Sequence, residues 1–169
     1  MYSFETMLKN GEQQELLLDR FLSHWYKITP VSMELQRLGI DRIFEDPRHR
    51  RFSVEYKADA TAARTGRAFL ETVSVDTANK PGWVLTSLAQ LLVYYVPLLE
   101  YANIYNVFAL KSMLPALLQE YSIKRIPNNG YQTHGIAVPF HVLKPCMINP
   151  GPLKICHRMN ETVATEGIA

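Results

Sequence analysis

Cysteine, net charge and long apolar runs are all scarce in this chain, and each shortage removes a class of protein. Two cysteines, Cys146 and Cys156, in 169 residues are too few for the disulfide framework of a small secreted domain, and both are expected as free thiols. With His141 and His157 they do not make a zinc site, because C-x9-C-H lacks the close C-x-x-C pairing of strong sites. Lys and Arg number 18 against 16 Asp and Glu, a net charge of +2, so composition alone does not mark a nucleic-acid binder. The longest apolar stretch, 88–99, is interrupted by Gln90 and falls short of the roughly 20 residues that span a bilayer; no membrane association is expected. The first residues, MYSFETMLKN, lack the basic start, apolar run and small-residue cleavage site of a signal peptide, so a cytoplasmic location is expected. Glycine is sparse, and none of it falls in a Walker, dinucleotide or G-x-S-x-G pattern, which removes nucleotide cofactors and acyl transfer.

What is present is an ordinary globular composition, 47% hydrophobic and 20% charged, at a length that suits one domain over 1–169. Leu17, Leu18, Phe21, Leu22 and Trp25 recur at helical spacing and predict an amphipathic helix over 12–26, starting near Asn10-Gly11. Pro30 breaks it, with a short edge strand over 28–31 and a turn at Leu38-Gly39. The period then becomes two over 40–45 and again over 52–57. Asp46-Pro47 and the basic loop PRHRR between them predict a hairpin. AFLETVSV (68–75) is a third strand and Lys80-Pro81-Gly82 a turn. The run 83–95, apolar almost all round, predicts a buried helix. A strand over 104–110 and a helix over 112–121 follow, Ser112 as N-cap and Pro115 in the first turn. Beyond Pro127 one strand is expected, at 136–143, with an irregular tail from about 160. The order predicts an α/β or α+β domain with one mixed sheet flanked by helices.

On a strand, Glu55 and Lys57 share a face while Val54 and Tyr56 share the other. A surface ion pair would explain the charges on their own. Upstream, however, Gly39-Ile40-Asp41 places an acid after a residue where the backbone can bend. In a hairpin, Asp41 and Glu55 would converge on one hard divalent cation. Lys57 would lie next to it, suited to orient or deprotonate a water or to offset charge on a pentavalent phosphorus.

At these residues the sequence resembles the PD-(D/E)XK nuclease superfamily, the restriction-endonuclease-like proteins: an acid on one strand, here in GID (39–41), and (D/E)-x-K on the next, here in VEYK (54–57). Ile40 stands where the family's proline precedes the first acid. The resemblance covers roughly residues 12–110 in its order of elements. It implies a restriction-endonuclease-like mixed central sheet flanked by helices and Mg²⁺- or Mn²⁺-dependent hydrolysis of phosphodiester bonds in DNA. Asp41 and Glu55 would be the metal ligands, the Tyr56 backbone carbonyl would complete the coordination, and Lys57 would assist the attacking water. The RecB-like and phage-exonuclease branches carry Q-x-x-x-Y on a following helix, matched by Gln90 and Tyr94; Gln90 would then approach the metal or the DNA backbone. Many members have an acid on the first helix, for which Glu15 is the first candidate and Glu12 and Asp19 are alternatives. Glu71, a carboxylate in an apolar strand, needs a partner, preferably a nearby arginine. Arg48, Arg50 and Arg51 on the hairpin, with Arg64 and Arg67 around TAARTG (61–66), are candidate phosphate contacts. A homodimer is expected where one small domain must cut two strands. The alternative is a non-catalytic nucleic-acid-binding or accessory protein on the same fold.

Overall fold

In the computed structural model, which describes residues 4–149 and 151–155, the N-terminal apolar pattern forms helix α1 (Phe4–Leu22). It runs through Asn10 and Gly11 instead of starting there. Leu18 and Leu22, one turn apart, are fully buried against Phe44, Val54, Val93 and Tyr95, and this burial anchors the helix. The chain then forms β1 (Lys27–Pro30), α2 (Met33–Arg37), β2 (Arg42–Glu45) and β3 (Arg51–Ala58). Next come α3 (Ala62–Thr65), β4 (Arg67–Val75), β5 (Lys80–Pro81), α4 (Trp83–Thr86), β6 (Leu91–Val96) and β7 (Tyr101–Asn106). It ends with α5 (Val107–Glu120), β8 (Ile123–Pro127), β9 (Gln132–Pro139) and β10 (Leu153–Lys154).

Two sheets result. One has six strands in the order β1-β2-β3-β6-β7-β10, the other four in the order β5-β4-β9-β8. The β1-β2-β3 meander is antiparallel, and β6 then joins β3 in parallel, with Val54 beside Leu91 and Lys57 beside Tyr94. The six-stranded sheet is buried on both sides. Val54, Tyr56, Val93 and Tyr95 pack toward α1, while Leu92, Tyr94 and Val96 pack with Leu70, Ile136 and Val138 of the second sheet and with α5. The architecture is mixed α/β, with helices flanking the sheets. No helix among the described residues is long and apolar enough to cross a membrane.

Several sequence expectations are corrected. The helix expected over 83–95 is a single turn, α4, followed by the central strand β6. LLVYYV is buried at every position, and a short run that is apolar all round fits a strand covered on both faces as well as a helix. The single expected sheet is two, because AFLETVSV pairs with β9 and not with the meander. The strand expected over 104–110 is instead β7, ending at Asn106, whose side chain caps α5 by accepting from the Ala109 N–H at 2.8 Å. Asn106, and not Ser112, is therefore the N-cap, and Pro115 lies inside α5, well past its first turn. β8 was not expected; it is an exposed edge strand whose Lys124 and Arg125 hide its period. β9 begins at Gln132, earlier than expected. Cys146 is buried and free; Cys156, His157 and the tail from about 160 lie outside the described residues.

The β2–β3 hairpin that carries the first acids keeps the register Arg42–Val54 to Glu45–Arg51. Its turn is tied by Asp46, which accepts from the N–H groups of Arg48 at 2.9 Å and Arg50 at 3.0 Å and from Arg50 Nε at 2.7 Å. Burial pushes the Asp46 carboxyl up, but the Arg50 N–H, the Arg50 guanidinium and the Arg48 N–H together hold it below its ordinary value. A depressed folded-state pKa stabilises above the ordinary carboxylate range and loses that share as pH falls through it. Asp46→Asn is therefore expected to lower the urea midpoint at pH 7, with the gap to wild type closing near pH 3. A gap that stays constant with pH would show that the charge contributes nothing.

Candidate active site

The alternation of β3 separates its charged residues from its apolar ones. Val54 and Tyr56 face α1, and the Tyr56 hydroxyl donates to Asp19 Oδ1 at 2.9 Å. Glu55 and Lys57 face the other way, with Lys57 Nζ 2.6 Å from Glu55 Oε1. This is not a surface ion pair, because Glu55 is only 2% exposed. Its second oxygen, Oε2, is buried with no hydrogen-bond partner; the nearby Ser87 hydroxyl gives its one proton to the Gly39 carbonyl at 3.1 Å. Burial pushes the Glu55 carboxyl above its ordinary value. The charge and hydrogen bond of Lys57, and after them the polar Ser87 hydroxyl nearby, pull it back only in part, and the negative charge of Asp41 adds to the rise. A half-satisfied buried carboxylate is costly, and a cation is one group that would satisfy it.

Asp41 reaches this point because of Gly39. Gly39 has φ +73°, and a Cβ there would stand 2.9 Å from the Ser87 Cα, so only glycine makes the bend while lying against Ser87. One residue before β2, the Asp41 N–H donates to the Val54 carbonyl at 2.8 Å. Its Oδ2 accepts from the Tyr56 N–H at 2.7 Å, so the carboxylate replaces a ladder carbonyl, within range of the Glu55 charge. Glu15 on α1 approaches from the other side: burial and then the charge of Asp41 raise its carboxyl, offset by Arg42. Arg42 links these groups. It is 7% exposed and donates from Nε to Asp19 at 2.9 and 3.0 Å, from Nη2 to Glu15 at 3.0 Å and from Nη1 to the Asp41 carbonyl at 2.8 Å. Its guanidinium also lies 5.5 Å from the Tyr56 ring centroid.

Glu55 and Lys57 open into a cleft of about 630 Å³ at the junction of the two sheets. Gln36, Arg37 and Gly39 form one side; Phe69 and Glu71 of β4, Lys80 of β5 and Trp83 of α4 form the other. The expected partner for Glu71, an arginine, is absent: no ion pair joins Glu71 to a described residue. Tyr94, one strand over from Lys57, also lines the cleft; its hydroxyl donates to Asp59 Oδ2 at 2.6 Å and accepts from the Phe69 N–H at 2.9 Å.

Gln90 is not brought to this cleft. It stands beside Ser53, where its Oε1 accepts from the Ser53 N–H at 3.0 Å, and lines a separate hollow with Trp25 and Phe52. The arginines expected at phosphates lie elsewhere too. Arg50 is spent on Asp46 at 2.7 Å and Arg67 donates to the Ala137 carbonyl at 3.1 Å, while Arg48, Arg51 and Arg64 are exposed. The sequence reading missed Arg37, Lys80, Trp83 and Ser87. Lys80 and Trp83 flank the Pro81-Gly82 turn, a signal that names a turn and not what it delivers.

The donor set suits a divalent cation in part: the orphaned Oε2 of Glu55 is a donor oxygen left over by the fold, and the Asp41 charge is near enough to act on Glu55, although Asp41 stands one residue before β2 and does not line the cleft. The pair meets the one or two carboxylates that Mg²⁺ takes from protein, although no group of three or more His, Cys, Asp or Glu among the described residues is arranged to hold a metal. Comparison with protein-family models, with curated proteins and with solved structures found no match.

Proposed function

We propose that the protein is a metal-dependent nuclease that hydrolyses phosphodiester bonds in DNA, on a restriction-endonuclease-like core formed by α1, the β1-β2-β3 meander and the parallel strand β6. The observation that carries the reading is the Glu55 carboxylate, buried and half-satisfied, with the Lys57 ammonium 2.6 Å away and Asp41 just ahead of the neighbouring strand. A structural ion pair would need neither the burial nor the third charge. Asp41 and Glu55 would hold Mg²⁺ or Mn²⁺, with the Tyr56 backbone carbonyl as a further ligand. Bound there, the cation would supply Lewis-acid polarisation of a phosphoryl oxygen and a more acidic water. Glu55 Oε1 holds the Lys57 ammonium in place, where it orients the attacking water and offsets the charge that grows on the phosphate oxygens. Arg42 fixes the Asp41 backbone and Glu15 at their distances from this point.

The test has two readouts. Mg²⁺ or Mn²⁺ is expected to raise the melting temperature and to support cleavage of plasmid, single-stranded or branched DNA. Glu55→Gln, which keeps the shape, is expected to lose both. A melting temperature indifferent to both cations, together with uncut substrates, would leave the alternative of a non-catalytic nucleic-acid-binding protein; salt-sensitive DNA binding without metal would then identify it.

A further inference from the structure

The cleft has a reactive floor and walls of a different character. Trp83 and Phe69, both half-buried, give it an aromatic side. Arg37 and Lys80 stand exposed on its margin with no ion pair to a described residue. The Lys57 ammonium lies 6.0 Å from the centroid of the Trp83 ring, so the indole stands beside the reactive amine. Of the three acids in the cleft, Glu55 is engaged by Lys57 and Asp59 by the Tyr94 hydroxyl and the N–H groups of Thr61 and Ala62; Glu71 has no ion pair to a described residue and is outnumbered by Arg37 and Lys80 on the margin.

Glu55 is 2% exposed and lines the cleft together with Trp83, so a phosphodiester that meets it does so from within the cleft. A duplex is stiff over about 50 nm and keeps its bases stacked inside, so it offers the aromatic side of the cleft no base to stack on. A single strand does. Its phosphates meet Arg37 and Lys80, and its bases turn outward onto Trp83 and Phe69, where stacking contributes about 1–3 kcal/mol per base. The geometry points to single-stranded nucleic acid, as a free strand, overhang or flap, as the ligand of this cleft, with Trp83 as its stacking residue. This rests on the nuclease reading for its chemistry but not for its binding.

Trp25 is the other tryptophan of the chain and lies outside the cleft, so Trp25→Phe leaves Trp83 as the sole reporter. That variant is titrated, with Ca²⁺ in place of Mg²⁺, with a thymidine oligonucleotide and with a blunt duplex of equal length. The single strand is expected to quench Trp83 fluorescence and to bind at least about tenfold more tightly than the duplex. By anisotropy, Trp83→Ala in the otherwise native chain is expected to lose about tenfold in affinity for the strand and Trp83→Phe to keep most of it. Lys80→Glu, exposed and safe for folding, is expected to weaken strand binding as well. Equal affinity for strand and duplex, or strand affinity unchanged in both Trp83→Ala and Lys80→Glu, overturns the inference. Quenching by the strand without cleavage in Mg²⁺ or Mn²⁺ supports it and overturns the nuclease reading; equally fast cutting inside blunt duplex does the reverse.

Discussion

Replacing Lys57 by alanine is expected to slow metal-dependent cleavage by about a thousandfold while leaving the fold intact. The two halves of that expectation come from different features of the ion pair. Lys57 is the partly exposed member, its side chain 34% accessible against 2% for Glu55, and it projects into the cleft and not into the core. Its loss removes no core volume. Glu55 would then be a buried carboxyl without its cation, and it answers by taking up a proton more readily, since burial already raises it. The buried charge is thereby removed, and the stability cost stays small. Activity has no such escape, because no other side chain bonded to Glu55 reaches the same place. Lys57→Arg separates the two roles: it keeps the positive charge but cannot give up a proton. Recovery in the arginine variant identifies charge stabilisation, and a second loss identifies proton transfer. Single-turnover rates with Mn²⁺ measure both. An alanine variant that cuts within threefold of wild type would remove Lys57 from the mechanism.

Arg42→Met is expected to lower stability by about 3 kcal/mol, in the range for breaking a buried charge network, which at this size is about 10 °C in melting temperature. In the sequence Arg42 precedes the basic turn of Arg48, Arg50 and Arg51, where phosphate contacts are expected. The structure turns Arg42 inward. Arg42 is 7% exposed, and its guanidinium divides its donors among Asp19, Glu15 and the Asp41 carbonyl. Methionine keeps much of the volume but leaves Asp19 and Glu15 facing each other with no cation between them. Lysine keeps the charge yet cannot reproduce the planar fork, and is expected to recover less than half of the loss. Denaturant midpoints at pH 7 measure the series. Cleavage should fall further than stability explains, since Asp41 loses the bond that fixes its backbone. An Arg42→Met midpoint equal to wild type would show that α1 is held by its apolar face alone.

The hairpin from Arg42 to Ala58 was legible because a period of two and a Pro-containing turn act locally, and the face shared by Glu55 and Lys57 followed from strand geometry alone. Where Asp41 and Glu55 stand relative to each other was legible only as far as the hairpin register was. The second sheet was not legible, since β4 finds its partner β9 more than sixty residues later, and no local pattern encodes that choice. β6 misled for a physical reason: a central strand covered on both faces has no polar side to reveal its period. Gln90 and Tyr94 keep their four-residue spacing, yet on a strand this spacing runs along the chain and not around a helix. Gln90 is thereby carried to the far end of β6 while Tyr94 remains at the cleft. Trp83 and Lys80 could not be named in advance, because their role comes from a wall built by tertiary packing.

The parallel pairing of β3 with β6 has a consequence for how the molecule assembles. The connection from Ala58 to Leu91 contains β4, β5 and α4, and β4 in turn waits for β9, which follows β7 and α5. The chain thus passes back and forth between the sheets, and neither closes until most of the chain has been placed. Such long-range closures carry their entropic cost before any contact rewards it. The cleft, unlike the local pair of Glu55 and Lys57, is therefore complete only when the crossover has closed and brought Trp83 to Lys57, so a partly folded chain would carry the residues of the site without the site.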